Sequence, residues 1–266
     1  MMSNKLFEEI TDEYKKIDKV KAIAIGGSSA NKTADMISDI DLYVFVDSDI
    51  PLQNRLELIK KYSSKFEAGC EYFGSGDEFF VDKLNQQLDV MFWNNCWFED
   101  AVNNVWEKYY PSNGYTTCFL FTLKNFLIIY DIDNWLKNLQ NKLNSPYPEK
   151  LKENIIKRNM MLIKDKPFAS YYDQIKKALK RNDIVSINHR IAAFLASYFD
   201  ILFAKNEILN PGEKRLIKFA KDNCKNLPEN FEENIINLLN QPNSYTLDIL
   251  DNMVENIRKT PDKLNI

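Results

Sequence analysis

The chain has 266 residues, 45% of them hydrophobic and 27% charged, with a formal net charge of −3. This composition fits a globular protein with a sizeable core, and its 17 Phe, 13 Tyr and 4 Trp exclude long disordered stretches. The charge balance argues against a grip on long nucleic acid, which needs a basic excess to neutralise phosphates, so a mononucleotide or small molecule is the expected ligand.

The amino-terminal stretch MMSNKLFEEITDEYKK carries no apolar run of the secretory kind, which points to a cytoplasmic protein. Leu6, Phe7, Ile10, Tyr14 and Ile17 recur at helical spacing. Val20 to Ile25 is a short β-branched run ending at Gly26-Gly27, which predicts a strand breaking into a loop. Asp39 to Val46 (DIDLYVFV) reads as a second strand. Residues 51–66 return to helix, opened by Pro51, with Leu52, Leu56, Ile59, Tyr62 and Phe66 on one face. Strands follow near 68–73 and 78–81, about the turn Gly74-Ser75-Gly76-Asp77, then at 87–93 (QLDVMFW) and from Phe126 to Tyr130.

From about residue 147 the pattern is almost wholly helical, with helices expected over 149–164, 167–181, 183–205, 211–222, 228–240 and 245–259. Pro146 and Pro148 make 144–148 the best boundary, because proline cannot continue a helix. The longest apolar run, 184–204, is interrupted by His189, Arg190 and Asp200, so it predicts a buried core helix and no membrane span. The four cysteines (Cys70, Cys96, Cys118, Cys224) are scattered without a CxxC pair and read as reduced thiols. The expected fold class is α+β: a mixed-sheet domain over 1–145 followed by an all-α helical bundle over 146–266.

The residues that carry chemistry lie in the first part. Successive strand side chains alternate between faces, so Asp39 and Asp41 share one face while Ile40, Leu42, Val44 and Val46 take the other. Two adjacent carboxylates repel unless a cation lies between them, and Mg²⁺ takes such oxygen ligands together with phosphate oxygens. Upstream, Gly26-Gly27-Ser28 can bring backbone N–H groups and a hydroxyl to a phosphate, since glycine has no Cβ to bar the approach. Asp89 stands in an apolar strand, alternating with Leu88, Val90 and Phe92, where a lone buried carboxylate is costly. A lone Asp-x-Asp reads as a solvated strand end and a lone Gly-Gly as a turn; the three features in order point to a site.

In this order, Gly27-Ser28, Asp39-Ile40-Asp41 and Asp89 resemble the motif of the nucleotidyltransferase superfamily of the DNA polymerase β type. The resemblance covers residues 18–93 as motif and 1–145 as domain. The segment HRIAAFLASYFDILFAKNEILNPGEKRLI (189–217) looks like the helical part of bacterial small-molecule nucleotidyltransferases, relatives of the lincosamide and aminoglycoside adenylyltransferases. The segment after Ser28 departs from the pattern, lacking its glycine-rich, charged spacer. The resemblance implies that Mg²⁺ and ATP are used, with AMP transferred to a hydroxyl of a small acceptor, an antibiotic among the candidates, and pyrophosphate released. In that scheme Asp39, Asp41 and Asp89 hold the metal, Gly27 and Ser28 the phosphates, and Asp89 also accepts the hydroxyl proton. Two other readings stand beside it: an antitoxin-like transferase acting on a protein or RNA, and a non-catalytic nucleotide-binding relative.

A second constellation is Asn210-Pro211-Gly212-Glu213-Lys214-Arg215. Asn210 suits an N-cap, Pro211 a first helical position and Glu213 a capping box. Lys214 and Arg215 would then occupy a first turn where the helix dipole disfavours cations. They are therefore expected to contact the triphosphate, the alternative being two solvated basic residues. His189, the only histidine, cannot make a zinc site by itself and reads as a core or helix-surface residue.

Overall fold

The computed structural model describes residues 5–27, 39–72, 74–166, 168–240 and 245–262, in which a six-stranded mixed sheet with flanking helices precedes an all-helical region. The chain divides into two compact units, residues 1–103 with 122–145, and residues 104–121 with 146–266.

In the first unit the elements are α1 (Lys5–Lys15), β1 (Val20–Ile25), β2 (Ile40–Val46), α2 (Leu52–Ile59), β3 (Phe66–Cys70), β4 (Gly76–Val81) and β5 (Gln86–Asn94). They are followed by α3 (Asn95–Trp106), α4 (Cys118–Lys124), β6 (Leu127–Asp131) and α5 (Trp135–Lys142), with α3 and α4 each running across a division between the units. The sheet order is β3-β4-β5-β2-β1-β6. Only β2 and β5 run parallel among these pairs; the others are antiparallel. A parallel pair needs a crossover, and here α2, β3 and β4 supply it.

Alternation decides which residues face the core. Leu42, Val44, Leu88, Val90 and Phe79 are buried on one face with Ile10 and Tyr14 of α1 and Leu58 and Ile59 of α2. On the other face Phe45 meets Phe98, Phe126 and Trp135 at ring-centroid distances of 5.0, 5.8 and 5.4 Å. The three helices α3 to α5 escape the periodic reading of the first half. They are short, and they mix polar residues with the apolar ones that pack.

The second unit is built around α8, within the series α6 (Glu149–Met160), α7 (Tyr171–Lys180), α8 (Ile184–Lys205), α9 (Leu216–Asn223), α10 (Phe231–Asn240) and α11 (Thr246–Lys259). Phe194, Tyr198, Phe199, Ile201, Leu202 and Phe203 of α8 are all buried, so the helix is apolar on most sides because most sides are covered. Each such side chain contributes about 1.5–3 kcal/mol by leaving water. Asp183 caps α8 by accepting the Ser186 N–H at 3.1 Å, and Ser170 caps α7 through the Asp173 N–H at 3.1 Å. At Met161–Asp165 the α6 helix continues as a π-helical turn. Among the described residues, no helix is long and apolar enough to cross a membrane.

The helix expected from Pro211 begins only at Leu216. Asn210 is buried and serves other partners: its N–H donates to Thr117 Oγ1 at 2.7 Å and its side-chain amide donates to Asp200 Oδ1 at 3.1 Å. Its side-chain oxygen accepts the Gly212 N–H at 3.0 Å, a local turn that competes with helix. Gly212 then takes φ +99° and Arg215 φ +55°, left-handed values that a right-handed helix excludes.

Candidate active site

The parallel register of β2 and β5 makes Asp41 and Asp89 direct partners. Residues opposite one another in a ladder share a face, with Cβ atoms about 5 Å apart. Asp89 is also the partner of Glu78 on β4, and Glu78 of Glu67 on β3. Four carboxylates, Glu67, Glu78, Asp89 and Asp41, thus form one row across four adjacent strands on one face. Asp41 and Asp89 are half-buried, while Glu78 and Glu67 are exposed. Asp39 lies exposed immediately before β2, and its charge is felt at both Asp89 and Glu78.

The electrostatics follow from this crowding. Burial raises the Asp89 carboxyl above the usual range; the Gln87 amide, donating to Asp89 Oδ1 at 2.8 Å, opposes the shift and the Asp39 charge adds to it. Burial also raises Glu78, helped by the negative charges of Asp89, Glu67 and Asp39. The Tyr43 hydroxyl, two residues along β2 from Asp41, is raised by burial and then by the Asp41 charge. Such a face disfavours further negative charge unless cations accompany it.

Gly26 and Gly27 close the row at the end of β1. The Gly26 N–H donates to the Asp41 carbonyl at 2.9 Å. Gly27 has φ +60°, and a Cβ there would overlap the Asp41 carboxylate, so both backbone and neighbour require glycine. Ser28 lies outside the described residues.

Carboxylates are the hard oxygen donors that Mg²⁺ takes, and the Asp41–Asp89 pair with Asp39 beside it fits such an ion chemically. Among the described residues, no three His, Cys, Asp or Glu side chains are already gathered at metal-holding distance. Lys214 and Arg215 lie in the second unit, both exposed on the turn before α9. The first-turn argument for these two residues does not apply there. His189 is exposed on α8.

Two features escape the sequence reading. Glu78 follows a Gly-Ser-Gly-Asp turn, and only strand pairing shows that it stands beside Asp89. The second is Asp200, which interrupts the apolar run of α8 and is 2% exposed. Its carboxylate accepts from Thr116 Oγ1 at 2.6 Å, the Thr116 N–H at 3.1 Å, Asn159 Nδ2 at 3.2 Å and Asn210 Nδ2 at 3.1 Å. Asn159 Oδ1 in turn accepts the Gly114 N–H at 3.0 Å, and a Cβ on Gly114 would come within 2.8 Å of Ala196. This hub explains why segment 104–121 clusters with the second unit. A polar residue within an apolar run was the available signal, since a buried charge demands partners.

Residues 8–96, which contain Gly27, Asp39, Asp41, Glu78 and Asp89, match the family model described as Polymerase beta, Nucleotidyltransferase. Residues 115–216, which contain Thr116, Asn159, Asp200 and Asn210, match a domain of unknown function, DUF4037. No curated protein matches the chain. Solved structures include a nucleotidyltransferase-like protein from Exiguobacterium sibiricum 255-15, at 9% identity, covering 96% of this chain and 72% of that one with a TM-score of 0.47. Another is the Thermotoga maritima CCA-adding enzyme complexed with tRNA, at 12% identity, covering 96% and 80% with a TM-score of 0.27.

Proposed function

We propose, from the match of residues 8–96 to the Polymerase beta, Nucleotidyltransferase family model, that the chain transfers AMP from ATP to a hydroxyl of a small acceptor. The single observation that carries the reading is the in-register pairing of Asp41 with Asp89 beside the Gly26-Gly27 turn. A cation between two such paired, half-buried carboxylates would offset their mutual repulsion.

In this reading Asp39, Asp41 and Asp89 hold Mg²⁺, which when bound neutralises the triphosphate and acidifies the acceptor hydroxyl. Gly27, whose Cβ position the Asp41 carboxylate occupies, and Ser28 after it would offer backbone N–H groups and a hydroxyl to the phosphates. The acceptor oxygen attacks the α-phosphorus, its proton passes to an Asp89 carboxylate oxygen, and the bond to pyrophosphate breaks. Glu78 extends the row beyond Asp89, on the side away from the Gly26-Gly27 turn.

The test is incubation with α-labelled ATP and Mg²⁺ in the presence of small hydroxylated compounds or proteins. Labelled AMP on a small acceptor, with pyrophosphate released, is the expected result, and Asp41→Asn abolishes it. Label on protein alone would replace the acceptor class, and unchanged turnover in Asp41→Asn would remove the site.

A further inference from the structure

Behind the carboxylate row, on the opposite face of the same sheet, lies a buried polar cluster that the proposed chemistry does not use. Tyr14 enters it from α1, Arg55 from α2 and Asp77 from β4, and all three are buried. Asp77 precedes Glu78 and pairs with Val90, the residue after Asp89, so the cluster backs directly onto the Glu78–Asp89 pair. Arg55 Nη1 stands 3.4 Å from Asp77 Oδ1, and the Gly69 N–H donates to that same oxygen at 2.8 Å. The guanidinium lies 4.7 Å from the centroid of the Phe92 ring, and the Tyr14 ring packs on Phe92 at 6.1 Å. The Tyr14 phenol feels the charges of both Asp77 and Arg55, and Tyr14 and Arg55 both pack on Phe92.

Three atoms of this cluster, Tyr14 Oη, Arg55 Nε and Asp77 Oδ2, have no hydrogen-bond partner among the described residues. Buried polar atoms left this way are rare, because each has given up water for nothing. Their chemistry is complementary to one small ligand. Arg55 Nε offers a single N–H, Asp77 Oδ2 offers only lone pairs, and the Tyr14 hydroxyl both donates and accepts. A water molecule accepts the N–H, donates to the carboxylate oxygen and exchanges its third bond with the phenol. About three hydrogen bonds is what a buried water ordinarily makes.

We propose that Tyr14, Arg55 and Asp77 bind one internal water molecule that joins α1, α2 and β4 behind the carboxylate row.

A high-resolution crystal structure of the full chain, with nuclear Overhauser transfer from water in solution, tests this. The expected result is one density peak within hydrogen-bonding distance of all three atoms, and a water cross-peak to the Arg55 Nε–H or the Tyr14 hydroxyl. Tyr14 Oη bonded directly to Asp77 Oδ2 with no water between them would overturn the proposal. Tyr14→Phe keeps the ring and its packing, and in that variant the peak disappears or its occupancy at least halves. Unchanged occupancy would equally overturn the three-atom site.

Discussion

The carboxylate of Asp41 rests against the α-carbon of Gly27, leaving no room for a side chain there. The same glycine has φ +60°, where an L-residue costs about 1–2 kcal/mol. Gly27→Ala should therefore destabilise the protein by at least that amount and push the Asp41 carboxylate from its position. Thermal unfolding and ATP turnover measured together check this. Turnover should fall more than the loss of folded protein explains; a proportionate fall would make Gly27 structural only.

Asp89→Asn separates charge from fold. Removing a carboxylate that burial disfavours should leave the protein at least as stable, while transfer falls by about 10²-fold or more through loss of its acid–base role alone. The Glu78 carboxyl, held up in part by the Asp89 charge, should titrate at lower pH in the variant. Carboxyl-resolved NMR titration reads this shift, and an unmoved Glu78 would break the electrostatic link between the two strands.

Asp200 makes stability depend on pH in an uncommon direction. Burial pushes its carboxyl up to about 6, against the hydrogen bonds that lower it, from an unfolded value of 3.8. The folded state therefore binds this proton more tightly than the unfolded state. The contribution is fully present below about pH 4 and is lost as pH rises through about 6. It amounts to about 3 kcal/mol at 1.36 kcal/mol per pKa unit. Urea unfolding between pH 4 and 7, compared with Asp200→Asn, isolates the term: the decline should flatten in the variant. An identical slope in both would assign the pH dependence to other groups.

Thr116→Val removes the hydroxyl that donates to Asp200 Oδ2 at 2.6 Å and accepts the Ser112 N–H at 2.9 Å. The expected cost is about 1–3 kcal/mol, because a buried carboxylate and an N–H each lose a partner. The Asp200 carboxyl should rise further, since the Thr116 side chain is the foremost of the hydrogen bonds that lower it. Hydrogen exchange along 112–117 should quicken in parallel.

The sequence makes individual strands legible and leaves their pairing hidden. β2 and β5 announce themselves by alternation around Asp41 and Asp89, because half-buried strands repeat every two residues. Nothing local says that the two strands are parallel and in register, and that pairing forms the row. Glu78 is invisible for the same reason. At Asn210-Pro211 the local helix-start signal is strong, yet Asp200 and Thr117 claim Asn210 from elsewhere in the unit, and tertiary bonds override the cap. Segment 104–121 carries no mark of its destination, since its partners lie far along the chain.

That long-range closure sets a schedule for synthesis. Thr116 emerges well before Asp200, 84 residues further on. At about 5–20 residues per second the ribosome needs on the order of 4–17 s to supply the partner. During that interval the stretch from Tyr115 to Phe121 waits outside the tunnel with its aromatic residues uncovered and its backbone unclaimed. The nascent chain is most open to chaperone capture or misassociation in this window, and a slow codon between 121 and 200 would lengthen the exposure without changing a single side chain.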